Sequence, residues 1–303
     1  MTPVKFGWAM PSGMSAGGNR GRHIEVMERG LEMIRGKFDS TWFVDHLQFD
    51  DRDLLESWTT ITYMAGRHTD LNVGQAVLCQ SFRNPALVAK MSATLQFLTG
   101  GRFILGLGAG WKEDEYSAYG YDFPSPGVRV EQLEEYVRVI KALWTEERAT
   151  FEGEHYRVIE AYCEPKPDPL PPIMIGAMKP KMIGVAARQA DWWNVSWTTL
   201  EDYRSMVDVC ERACAEIGRD PGTLRRTWFG GCTVAPTEEA LKKLIGDRPP
   251  QAGGIAGTTE QVIEQMRAFM DLGVDYFMMG TTGLPDFTGL EQLVNVVLPA
   301  LNE

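Results

Sequence analysis

Three short stretches carry the residue types that do chemistry. Asp45-His46 closes a short apolar run. A buried histidine beside a carboxylate can be held in one tautomer and serve as acid, base or hydrogen-bond donor. The plain alternative is a histidine satisfied inside its own loop. Residues 101–116 read GRFILGLGAGWKEDEY, in which Gly106, Gly108 and Gly110 alternate with Leu107 and Ala109. Glycine weakens a strand interior, so the spacing points to close approach of the backbone to a ligand or to another strand. Trp111, Glu113 and Glu115 follow at once, so a buried strand ends in a bare loop with one large aromatic and carboxylates. Tight strand–helix packing without a ligand remains the alternative. No Lys-Ser/Thr follows the glycines, and GLGAGW has Trp111 where the dinucleotide fingerprint G-x-G-x-x-G needs its third glycine, which excludes both a phosphate loop and that fingerprint. Residues 176–181, GAMKPK, place glycine and two lysines at a helix start. Such a start can hold a phosphate through backbone N–H groups and charge, or it can be solvated, with Pro180 in a favoured first-turn position.

Other chemistries are poorly served. The five cysteines, Cys79, Cys163, Cys210, Cys214 and Cys232, are odd in number and form no Cys-x-x-Cys, which argues against a disulfide frame or structural zinc. The four histidines show no paired metal spacing, so no metal site is expected. A formal charge of −11 without a basic run makes nucleic acid and anionic membranes poor partners. No apolar segment reaches membrane-spanning length, and the first 19 residues lack a signal-peptide core. A cytoplasmic location is therefore expected.

Periodicity supplies the elements that must position these groups. Apolar strand-length runs fall at 4–10, 40–44, 71–78, 102–109, 173–177, 192–197, 226–234 and 274–280. Between them lie helical patterns at 23–35, 54–67, 130–144, 181–190, 200–217, 238–245, 258–272 and 290–301, and a helix running to Leu98. Asn84 then Pro85 is a cap followed by a favoured first helical residue, and Gly100-Gly101 stops that helix. Residues 149–159 read as an excursion hairpin, 165–172 as a proline-rich connector, and 11–22 and 246–257 as loops. Strand–helix alternation favours a parallel sheet with right-handed crossovers. Eight units in 303 residues point to one α/β domain, a closed (β/α)8 TIM barrel, with an open doubly wound sheet as runner-up. In a barrel the site lies where strands end. Trp8, Trp111, Trp193, Trp197, Trp228 and Phe277 sit near such ends and could together wall an apolar box for a flat ring.

The stretch GRFILGLGAGWKEDEYSAYGYDF, with SFRNPALVAKMSATLQFLTG before it, resembles the bacterial luciferase-like superfamily. Within that it is most similar to coenzyme F-420-dependent oxidoreductases. The resemblance runs from Phe6 to about Trp197 and more weakly beyond. It implies that His46 is the catalytic residue and Asp45 its neighbour at the cofactor. It implies a cis peptide at Ala76-Val77 under the central ring, with Cys79 close by, and cofactor contacts from Ala109, Gly110 and Trp111. It also assigns the cofactor phosphate to Gly176, Ala177, Met178, Lys179 and Lys181. Arg83 and Asn84 are read as a helix start. Two departures stand out. Related sugar-phosphate dehydrogenases carry Trp four residues after the histidine, where Asp50 stands here, and Glu directly after the glycine loop, where Trp111 stands. Glu113 or Glu115 can replace that acid, or can simply cap or brace the loop.

Three functions follow as expectations. The first is hydride transfer between F-420 and a small organic substrate, with His46 orienting the substrate or moving a proton. The second is an FMN-dependent monooxygenase fed by a separate flavin reductase. The third is a barrel that binds flavin without turnover. The Asp45-His46 and Ala76-Val77 resemblances favour the first. The resemblance also implies a homodimer.

Overall fold

A computed structural model describes residues 3–14, 19–246 and 251–303. Eight parallel strands form a closed ring: β1 (Lys5–Ala9), β2 (Ser40–Phe43), β3 (Asn72–Gln75), β4 (Phe103–Gly108), β5 (Ile173–Gly176), β6 (Trp192–Ser196), β7 (Arg225–Ala235) and β8 (Val274–Thr281). Each pairs with the next; β8 pairs with β1, and β4 meets β5 with Leu105 opposite Ile173. This is the TIM barrel expected from the alternation, and the open-sheet alternative falls because no strand edge remains within the ring.

Side chains alternate across each strand. One set fills the barrel: Trp42, Ile104, Met174, Phe229, Tyr276 and Met278. The other packs outward against helices and includes Trp8, Trp193, Trp228 and Phe277. These four therefore belong to the strand–helix layer and cannot wall a ligand box, contrary to the sequence reading. At the amino-terminal end of the barrel the Tyr276 hydroxyl donates to Asp39 Oδ2 at 2.7 Å, and the Trp42 indole N–H donates to Ser40 Oγ at 2.6 Å, so polar groups close that mouth.

Local signals set most boundaries. The Asn84 side chain accepts from Ala86 N–H to start the helix Pro85–Thr99, and Gly100 ends it in the left-handed conformation at φ 63°. Several elements differ from expectation. The strand expected over 71–78 divides into β3 and a two-residue segment, Leu78–Cys79, that runs parallel to the end of β4. The loop expected over 246–257 contains a strand, Ile255–Thr258, parallel to β7 with Cys232 opposite Ile255; residues 247–250 lie outside the described residues. Thr258 then caps the following helix with a reciprocal Thr258–Gln261 capping box. Finally, Glu113–Tyr119, read as loop, is a short helix with three acids in its first turn. Of the loop expected over 11–22, residues 15–18 also lie outside the described residues; Gly13–Met14 pairs antiparallel with Asp53–Leu54.

Candidate active site

A cleft of about 1060 Å³ opens at the carboxyl ends of the strands. This volume suits a cofactor and a small substrate together. Val44, Asp45 and His46 reach it from β2, Ala76, Val77 and Cys79 from beyond β3, and Gly108, Ala109, Gly110 and Trp111 from β4. Gly176, Ala177 and Met178 reach it from β5, Asn194, Ser196 and Trp197 from β6, and Phe229 from β7.

The glycines of β4 face protein rather than bare solvent. The Ala76–Val77 peptide is cis, and the chain there crowds β4. A Cβ on Gly106 would overlap the Gln75 carbonyl oxygen, and one on Gly108 would sit 2.5 Å from Val77 Cγ2. Gly176 faces Val77 from the other side, where a Cβ would lie 3.3 Å from Cγ1. Val77 thus rises into the cleft as a half-buried ridge between two glycines. A Cβ at Gly110, where φ is 78°, would overlap the Tyr116 hydroxyl. Of the two readings of the glycine run, approach to another strand holds for Gly106 and Gly108. Gly106 has an ordinary backbone conformation, so Gly106→Ala isolates the steric effect. It is expected to cost about 1–3 kcal/mol, read as a lower denaturant midpoint at unchanged slope.

Asp45 is buried and fully engaged. Its Oδ2 accepts from Arg83 Nη1 at 2.9 Å and from Cys79 N–H at 2.9 Å, and its Oδ1 accepts from Arg83 Nη2 at 3.0 Å. Arg83 also pairs with Glu56, whose carboxylate caps the helix Ser57–Arg67 through Trp58 and Thr59 N–H. Asp45 therefore borders the cleft as the brace of two loops, with both oxygens already satisfied by protein. Arg83, read as part of a helix start, is the other half of that brace, while Asn84 alone does the capping.

His46 is oriented from elsewhere. Its Nδ1 lies 2.7 Å from Glu115 Oε1, and Leu47 N–H donates to Glu115 Oε2 at 2.6 Å. The ring is met edge-on by Phe49 at 5.4 Å and by Trp111 at 5.8 Å. The His46 side chain keeps 20% of its exposure, and Nε2 has no protein partner among the described residues. Trp111 is 66% exposed and stands at the rim. Phe49 carries no local sequence signal for this contact; Asp50 beside it is exposed and in the left-handed region at φ 54°.

Cys79 lies against the Tyr116 hydroxyl, with 3.1 Å between Sγ and oxygen, and that hydroxyl donates to Ser81 Oγ at 3.0 Å. Burial pushes the Cys79 thiol up to about 11, with Tyr116 offsetting only part of the effect, so it is a neutral packing group rather than a thiolate nucleophile. Ala177 N–H already donates to the Asn194 carbonyl at 2.9 Å. Lys179 and Lys181 are exposed, and the cleft wall passes from Met178 to Met182 without them. The helix Pro180–Gln189 has no side-chain cap, however, so first-turn N–H groups of Lys181 and Met182 remain for a ligand. Among the described residues no cluster of His, Cys, Asp and Glu could hold a metal ion, and no helix is long and apolar enough to cross a membrane.

The profile of the family described as luciferase-like monooxygenase matches residues 4–251. The F-420-dependent glucose-6-phosphate dehydrogenase of Kineococcus radiotolerans is 34% identical over 232 residues, covering 74% of this chain and 66% of that protein. The FMNH(2)-dependent dimethylsulfone monooxygenase of Pseudomonas putida is 25% identical, covering 92% of this chain and 90% of its own. In three dimensions an F-420-dependent secondary alcohol dehydrogenase, solved with an F-420-acetone adduct, superposes with a TM-score of 0.83. It is 22% identical, with all of both chains covered, and shows the shared barrel.

Proposed function

The chain belongs to the luciferase-like monooxygenase family, and from that premise we propose that it is an oxidoreductase transferring a hydride between coenzyme F-420 and a small organic substrate. One observation carries the reading: His46, with Nδ1 engaged and Nε2 free, shares a cleft with the Val77 ridge and an uncapped helix start. A flat ring can rest on Val77, which Gly108 and Gly176 admit between them at the cleft floor. The first-turn N–H groups of Lys181 and Met182, with the charges of Lys179 and Lys181, suit a phosphate. When bound, the deazaflavin supplies the carbon that takes or gives the hydride. His46 holds or moves the proton of the substrate oxygen, and Phe49 and Trp111 limit water around its ring. Asp45 and Cys79 keep the loops beneath in place. The same reading puts the enzyme in the cytoplasm, with no flavin reductase as partner.

Fluorescence titration tests it. F-420 is expected to bind more tightly than FMN; micromolar FMN affinity without F-420 binding would replace the reading with the FMN-dependent one. The double variant Lys179→Ala/Lys181→Ala is expected to weaken F-420 binding at low salt, by about 1 kcal/mol per charge or less. Unchanged affinity at low salt moves the phosphate elsewhere.

A further inference from the structure

We propose that Glu115 is a positioning residue that holds His46 with its proton on Nδ1, so that Nε2 meets the substrate as a proton acceptor. The proposal deepens the oxidoreductase reading, and only its kinetic arm rests on that reading.

A carboxylate offers acceptors alone. Glu115 takes the Leu47 N–H on one oxygen and faces His46 Nδ1 with the other, so the ring nitrogen must bring the hydrogen. The Glu115 side chain keeps only 2% of its exposure, which leaves no room for it to swing to water. Its helix, Glu113–Tyr119, is tied on both sides. Tyr119 donates its hydroxyl to the Leu47 carbonyl at 3.0 Å. Tyr116 is held by Ser81 and Cys79 in the space that Gly110 leaves vacant. Just past the helix, Tyr121 donates to the Phe82 carbonyl at 3.2 Å. The histidine loop and the carboxylate are thus fixed to the same frame. Asp45, the sequence neighbour suited to this role, is spent on Arg83 and Cys79.

In the oxidative direction the hydroxyl proton passes to Nε2 as the electron pair leaves the substrate carbon as hydride. Glu115 balances the imidazolium charge so formed. In the reductive direction the same nitrogen returns the proton to the carbonyl oxygen.

The variant Glu115→Gln makes a sharp test. Leu47 N–H still needs an acceptor, so the glutamine oxygen turns to it and the amide NH₂ faces Nδ1. That arrangement moves the ring proton to Nε2. The chain has only four histidines, so ¹⁵N-histidine labelling resolves His46, identified by its loss in His46→Gln. Long-range ¹H–¹⁵N spectra of the cofactor-free protein, at alkaline pH, are expected to show Nδ1 protonated in the wild type and Nε2 protonated in Glu115→Gln. In F-420-linked turnover with a secondary alcohol or glucose 6-phosphate, kcat should fall about 10²- to 10⁴-fold, with KM little changed. A wild-type spectrum with the proton on Nε2 overturns the proposal, even where the variant fails to fold. So does a Glu115→Gln protein with the wild-type tautomer and rate. Absence of F-420 binding would instead sink the F-420 hydride-transfer reading and leave the tautomer measurement standing.

Discussion

His46→Ala is expected to slow single-turnover hydride transfer at least about a hundredfold while leaving F-420 affinity nearly intact, since general acid–base groups contribute roughly 10²- to 10⁴-fold. The ring has one nitrogen engaged by Glu115 and one open to the cleft. Alanine removes the open nitrogen without disturbing the Val77 ridge or the helix start at Pro180. His46→Gln should recover part of the rate if the group donates a hydrogen bond rather than carrying a proton. A histidine with a purely structural role makes a different forecast, in which thermal midpoint and cofactor affinity fall together. The deciding measurements are therefore thermal midpoint and single-turnover rate on the same protein. A normal midpoint with a normal rate removes His46 from the mechanism. The variant does free Glu115, a buried carboxylate that keeps only Leu47 and Gln48 N–H groups as donors, so a modest loss of stability accompanies the rate loss.

Arg83→Met is expected to destabilise the fold by about 3–5 kcal/mol, because removing one partner of a buried ion pair strands the other. The Asp45 side chain is 1% exposed and that of Arg83 12%, and two hydrogen bonds join them. Methionine keeps most of the volume, so the loss reports charge rather than a cavity. Asp45 would be left with Cys79 N–H alone, and the loops after β2 and β3 would lose their common tie. Chemical denaturation of the variant reads the loss directly; a change below about 1 kcal/mol would mean that water already screens the pair. The pH dependence adds a second readout through Glu56. Burial alone would raise its carboxyl, but hydrogen bonds from Thr59, Trp58 and Arg83 outweigh burial and hold it below the ordinary value. A carboxyl lowered in the folded state contributes stability above its unfolded pKa and loses it as pH falls through the folded one. The gap between wild type and Arg83→Met should therefore narrow on acidification. A gap that widens would exclude Glu56 from the brace.

Local chemistry in the chain determined the barrel. Eight apolar runs alternate with helical stripes, and signals such as Asn84-Pro85 and Gly100 act within a few residues, so short-range physics alone announces them. The same locality made Asp45-His46 visible at a strand end, where a (β/α)8 fold gathers its site. Tertiary closure decided the partners. Glu115 stands 69 positions from His46 and Arg83 stands 38 from Asp45. Neither pairing leaves a periodic trace, and adjacency in sequence favoured the Asp45–His46 contact that Arg83 prevents. Closure also sorted the aromatics. Trp8, Trp193, Trp228 and Phe277 sit near strand ends like Trp111 and Trp197, yet they face the helices. Which way a residue points depends on strand register, and one step of register exchanges the two faces of a strand. Register in turn is set by the ring: Gly106 and Gly108 admit the chain at Gln75 to Val77 only because β3 and β4 lie side by side in it.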